Sequence, residues 1–219
     1  MRLYMSCESY PTGDGVISMA RKSIVVAGVG GQGLITIGGV LGEALSEKGF
    51  NVSVGEVHGL SQRGGSVVVF LKYGDGSVSP IVTTGEADLI IGLELIEAAR
   101  RLQLARKGGF VIVNDFLLPP PAAGKVPSRE ELLKSIRGSG LNDFVIDANG
   151  LALKAGSEIA VNMVMIGASL ATRVIDVSVE DIERILTRRF KGELLRINLE
   201  ALKLGYEEVE KKRYSSQVK

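Results

Sequence analysis

The chain has 219 residues, a net charge of +1, and 45% hydrophobic side chains of which few are aromatic and none is tryptophan. That length suits one domain with a sizeable core of Val, Ile, Leu and Ala, as in α/β folds with buried parallel strands. The balance of 26 basic against 25 acidic residues leaves no basic stripe for nucleic acid, and one cysteine (Cys7) and one histidine (His58) cannot make a disulfide, an iron–sulfur cluster or a structural zinc site unaided.

Residues 1–20 are turn-rich and without period. They read as a disordered extension or an upstream mis-start, with Met19 opening a natural beginning. They lack the long apolar core of a signal peptide, and no apolar run reaches about 18 residues, so the expectation is a cytoplasmic protein without a membrane span. From residue 21 to 219 the chain reads as a single domain. An apolar strand over 24–27 precedes a glycine turn and an amphipathic helix over 34–48. Strands follow at 51–56 and 66–72, the connection between them too short for a crossover helix. The strand at 66–72 is therefore expected to run antiparallel to its neighbour or to lie at a sheet edge, and residues 73–77 predict a hairpin turn into a further strand at 78–81.

Alternation then resumes, with a strand at 88–92, a helix at 93–104 and a strand at 109–114. Pro119, Pro120 and Pro121 force an extended loop. Ser128 caps a short helix with Glu130 and Glu131 in its first turn, and 144–147 reads as a strand. The last third is helical: a nearly all-apolar helix over 162–174 with Asn162 as its cap, a helix over 179–188 capped by Ser178, and a long amphipathic helix over 192–211. The pattern predicts a three-layer, Rossmann-like α/β fold with a mostly parallel sheet, an antiparallel hairpin portion and a helical C-terminal third.

Two loops carry the chemistry. Gly28-Val29-Gly30-Gly31-Gln32-Gly33 has the spacing G-x-G-x-x-G between strand and helix, where backbone N–H groups and a helix dipole meet an anion. Glu56 then stands where a dinucleotide fold keeps its ribose-binding acid. Against NAD, no helix and third parallel strand follow Glu56, and the glycines can equally serve close packing of strand on helix. The second loop, His58-Gly59-Leu60-Ser61-Gln62-Arg63-Gly64-Gly65, holds a base that titrates near neutrality beside a fixed cation, between glycines that let a ligand or partner approach. The plainer alternative is a histidine bonded to its own loop and an arginine paired with a surface acid. Glu94 and Glu97, with Arg100 and Arg101 following, read as a salt-bridged, solvated or interface helix face, and Asn198 and Glu200 as surface. No complete catalytic constellation is present.

The pairing of the glycine turn with Glu-Val-His-Gly-Leu-Ser-Gln-Arg-Gly-Gly-Ser-Val (56–67) resembles the gamma-type domain of the 2-oxoacid:ferredoxin oxidoreductases, and within that family the indolepyruvate type. Gly85-Glu86-Ala87-Asp88, Glu94-x-x-Glu97-Ala98-x-Arg100, Asn162-Met163-Val164-Met165-Ile166-Gly167 and Asn198-Leu199-Glu200-Ala201 extend the resemblance over about residues 22–210. It implies a small subunit with no cofactor of its own. Thiamine diphosphate, Mg and [4Fe–4S] clusters would lie in a large alpha subunit, in an alpha2beta2 assembly that delivers electrons to ferredoxin. The whole enzyme would convert aryl-pyruvates and coenzyme A to aryl-acetyl-CoA and carbon dioxide. The resemblance places His58, Gln62 and Arg63 as the candidate catalytic residues. Gly28, Gly30, Gly31, Gln32, Gly33, Ser61 and Gly64 become candidate contacts to a phosphate, carboxylate or cofactor. A stand-alone NAD-binding oxidoreductase and a purely structural subunit are the alternatives.

Overall fold

The computed structural model describes residues 21–59, 64–120 and 124–217. The proposed extension, Ser61, Gln62, Arg63 and Pro121 lie outside the described residues. Six strands form one sheet in the order β2-β3-β1-β4-β5-β6. β1 (Lys22–Val29) is central and runs parallel to β4 (Ala87–Gly92), which in turn pairs parallel with β5 (Ala105–Asn114) and β5 with β6 (Asn142–Ile146). β3 (Ser66–Gly74) is inserted antiparallel between β1 and β2 (Asn51–His58). The antiparallel expectation for β3 holds, and the edge position falls to β2. The shortness of the link accounts for the antiparallel pairing, since parallel neighbours need a dozen or more connecting residues.

Helices cover both faces, as expected of strands that read as continuous apolar runs. One face carries α1 (Leu34–Glu47), α4 (Ala148–Ala155), α5 (Val161–Ala171), α6 (Val179–Arg189) and α7 (Gly192–Gln217), packed on Ile24, Val26, Val69, Leu71, Ile91 and Ile112. The other carries α2 (Leu95–Arg101) and α3 (Arg129–Arg137) over Val25, Val68, Ile90, Val111 and Val113. Ser128 and Ser178 close reciprocal capping boxes with Glu131 and Asp181, as their positions before acidic first turns predict.

Four details depart from the sequence reading. Residues 78–81 are not a strand; Val82 drops into the core and Pro80 covers Gly55, where a Cβ would lie 2.9 Å from it. The stretch packs across the sheet face instead of joining it, held by Lys72 Nζ donating to the Ile81 carbonyl at 2.7 Å. The helix expected over 93–104 is α2 followed by a single tight turn, Leu102–Leu104. Asn162 is the second residue of α5 rather than its cap, its Oδ1 accepting from the Met163 N–H at 2.9 Å. Asn198 is buried, its amide donating to the Leu194 carbonyl one turn back.

The tightest packing is between α5 and α7. A Cβ on Gly167 would sit 1.9 Å from the Leu202 carbonyl oxygen, and one on Gly205 equally close to that of Val164. The two backbones touch, which only glycine permits. Arg213 on α7 then donates to the Ala171 carbonyl at 2.6 Å, satisfying one of the orphan acceptors at the end of α5.

Candidate functional site

The site lies at the carboxyl end of the parallel strands, where α1 leads the chain from β1 to β2 and β3 on one side and β4 pairs with β1 on the other. Ligands of open α/β sheets bind at such a switch point. The turn between β1 and α1 is closed from within: Gln32 Oε1 accepts from the Val29 N–H at 2.7 Å, and Gln32 Nε2 reaches the Leu93 carbonyl at 3.4 Å. A Cβ on Gly28 would lie 2.6 Å from that Gln32 oxygen, so Gly28 makes the fold-back possible. Gly33 is left-handed at φ 80° and caps α1 without a side chain, and a Cβ there would meet the Asn162 amide nitrogen at 2.7 Å. Gly30 donates its N–H to the Gly65 carbonyl at 2.8 Å, which fastens the glycine turn to the second loop.

What stays open is the start of α1. The N–H groups of Leu34, Ile35 and Thr36 lie in the first turn, no side chain caps them and no acidic residue shares that turn. Among the described residues, the positive end of this 14-residue helix is presented with no capping side chain and no acid in its own first turn.

Two clefts meet over it. The first, about 500 Å³, is lined by Gly30, Gly31, Gly33, Ile35, Thr36, Glu56, His58 and Val67. Register explains the pair of titratable residues: Glu56 and His58 oppose Val69 and Val67 and so share the α1 face of the sheet. His58 Nδ1 lies 3.1 Å from the Gly59 carbonyl, an arrangement that puts the ring hydrogen on Nδ1 and leaves Nε2 as the acceptor. The second cleft, about 390 Å³, is lined by the same glycine turn with Phe116, Leu118, Asn149, Glu158, Ile159 and Asn162. Its apolar rim is conspicuous, with Ile159 83% and Leu118 42% exposed.

The structure thus brings His58, Gly30, Gly31 and Gly33 together around one cleft, with Gly64 alongside through its 3.5 Å bond to the Gly30 carbonyl. Gln32 lines the second cleft, but both ends of its amide are engaged in holding the turn. Glu56 faces the first cleft from an edge strand, and β3 fills the sheet position next to β1. The acid therefore stands two strand spacings from β1, roughly 10 Å, which is farther than the neighbouring-strand position of a dinucleotide fold.

Sequence reasoning missed the second cleft. Asn114, 1% exposed at the end of an otherwise apolar strand, donates to the Leu93 carbonyl and to Asn149 Oδ1 at 3.0 Å and accepts from the Ala148 N–H. A polar residue closing a buried strand was the available signal. Glu94 and Glu97, read as a salt-bridged, solvated or interface helix face, are 0% and 3% exposed, and of those alternatives the ion pair is present, between Glu97 and Arg100. Their carboxylates are consumed by the Glu97 and Leu118 N–H groups in the one case and by Ser66 and Arg100 in the other.

Among the described residues no three His, Cys, Asp or Glu side chains converge on a common point as a metal cage. A single cysteine in the sequence is also too few for a cubane cluster.

Residues 23–208 match the family model described as pyruvate ferredoxin/flavodoxin oxidoreductase. The chain is 36% identical over 192 residues to indolepyruvate oxidoreductase subunit IorB of Pyrococcus horikoshii, covering 85% of this chain and 95% of that one. It is 27% identical over 191 residues to pyruvate synthase subunit PorC of Methanothermobacter thermautotrophicus, covering 85% and 94%. Among solved structures, the pyruvate oxidoreductase subunit PORC of Thermotoga maritima superposes with a TM-score of 0.68 at 26% identity, covering 86% of this chain and 96% of that one.

Proposed function

The chain belongs to the pyruvate ferredoxin/flavodoxin oxidoreductase family, and from that premise we propose that it is the small subunit of an indolepyruvate (aryl-pyruvate):ferredoxin oxidoreductase. It would support the coenzyme A-dependent oxidative decarboxylation of aryl 2-oxoacids to aryl-acetyl-CoA, with reduction of ferredoxin. The observation that carries this reading is a binding rim: among the described residues, a helix N-terminus without a side-chain cap lies between two clefts, one lined by a single histidine. Such a surface is suited to binding and orienting an anionic ligand.

Thiamine diphosphate, Mg and the [4Fe–4S] clusters belong to a large partner subunit in an alpha2beta2 assembly, and no step of their chemistry is assigned to this chain. What this chain contributes is the anion-binding start of α1 for a phosphate of coenzyme A, flanked by Gly31 and Gly33. His58 offers Nε2 as a proton acceptor at the first cleft. Ser61, Gln62, Arg63 and Gly64 follow His58 in the sequence, and Arg63 would serve as a fixed cation for phosphate or carboxylate. The unit that does this runs from residue 21 to the end of the sequence. No helix among the described residues is long and apolar enough to cross a membrane, and the cytoplasm is the compartment we assign.

A second reading has one observation in its favour: Gln32 and Gly28 lock the turn internally, as a purely structural docking element would. Anaerobic co-expression with the large-subunit gene, followed by indolepyruvate- and CoA-dependent dye reduction, decides between them. Activity is expected only with both chains, and Arg63→Ala is expected to raise the KM for coenzyme A. If Arg63→Ala changes assembly alone, the chain is structural. If the isolated chain instead binds NAD, the assignment fails.

A further inference from the structure

We propose that Glu94 and Glu97, the buried carboxylates at the start of α2, are positioning residues that hold the outer walls of the two clefts. The proposal rests on the reading above, that the clefts take coenzyme A.

Glu94 is the N-cap of α2, and one of its oxygens accepts from the Glu97 N–H at 2.8 Å. Short side chains are the preferred caps. A glutamate is longer than capping requires, and the extra reach is used: its other oxygen accepts from the Leu118 N–H at 3.1 Å. The next residue, Leu95, donates its own N–H to the Phe116 carbonyl at 2.9 Å. Phe116 and Leu118 are the wall of the second cleft. Here the loop after β5 is tied to the first turn of α2 at two points.

Glu97 does the same on the opposite side. Its Oε2 accepts from Ser66 Oγ at 2.5 Å, while Oε1 accepts from Arg100 at 2.6 Å. Ser66 follows Gly65, whose carbonyl receives the Gly30 N–H, and precedes Val67, which lines the first cleft. Between the two carboxylates, the Leu93 carbonyl collects Asn114 and Gln32. Five residues of chain thereby touch the glycine turn and the walls on both sides of it. Burying a carboxylate is costly unless it is fully hydrogen-bonded, and both of these are bonded to elements that frame the clefts and not only to their own helix.

Two substitutions each cut one link without unmaking the helix. Glu94→Asp keeps a good cap but cannot reach Leu118, and Ser66→Ala removes the hydroxyl that Glu97 holds. In the co-expressed complex each is expected to raise the KM for coenzyme A about tenfold, the loss of one hydrogen bond to a charged group, with kcat little changed. In Glu94→Asp the Leu118 amide is expected to exchange with deuterium faster, while the amides of the β5 core keep their protection. Unchanged KM in both variants, or unchanged Leu118 exchange in Glu94→Asp, overturns the proposal. A wild-type complex without saturable dependence on coenzyme A sinks the functional reading instead, and the Leu118 exchange still decides whether the clamp exists.

Discussion

The α5–α7 crossing and the β1–α1 turn both depend on glycines that a Cβ would fill, yet the obstacles differ in kind. At Gly167 the obstacle is backbone, the Leu202 carbonyl at 1.9 Å. At Gly33 it is the end of a side chain, the Asn162 amide at 2.7 Å, and at Gly31 nothing lies within 4 Å. Backbone cannot step aside without parting two helices, whereas an amide can swing into the cleft it borders. One glycine serves stability and the other shapes a binding surface.

The largest break in that comparison is Gly167→Ala. It must separate α5 from α7 and should cost about 3 kcal/mol, read as a lowered midpoint in denaturant unfolding. A smaller effect on stability, but one aimed at binding, is expected from Gly33→Ala, which adds the displacement of Asn162 to the strain of a left-handed backbone, of order 1–3 kcal/mol. Gly31→Ala shares the strain, at φ 105°, and lacks the displacement. The difference between the two in KM for coenzyme A isolates what Asn162 contributes to the cleft; equal values would mean that it contributes nothing.

A third test sharpens the structural side alone. Burial raises the Asp181 carboxyl, but the Ser178 N–H together with Lys48 and Arg184 outweighs it and brings the group from 3.8 down to about 2. The folded state therefore holds the carboxylate more tightly than the unfolded chain does. Its contribution, about 2 kcal/mol, is complete above pH 4 and is lost as the pH falls towards 2. Asp181→Asn should flatten the stability profile in that acid window and leave the clefts unaffected.

Much of this was legible in the sequence. Continuous runs such as Ile24–Ala27 could only be strands covered on both faces, and a glycine turn between one of them and a helix located the binding rim. Ser128 and Ser178 announced their helices through the acids three residues on. The failures share a cause. Residues 78–81 alternate like a strand, but Pro80 and the burial of Val82 are decided by what lies across the sheet. For Glu94 and Glu97 only the nearby Arg100 was visible in the sequence, because their other partners, Leu118 and Ser66, are 24 and 31 residues away in the chain. The second cleft was invisible for the same reason, its walls coming from β5, α4 and α5.

The insertion of β3 between β1 and β2 also constrains how the sheet can be assembled. A growing chain delivers β1, α1 and β2 before β3 exists, yet β1 and β2 are not neighbours in the finished sheet. β2 has β3 as its one neighbour in the sheet, so until β3 is made it is held by its packing on α1, Val52 and Val54 lying against Gly42. The edge that carries Glu56 and His58 is accordingly completed only once β3 has been made, whereas the far side of the sheet, β4, β5 and β6, is added in order, each strand against one already in place.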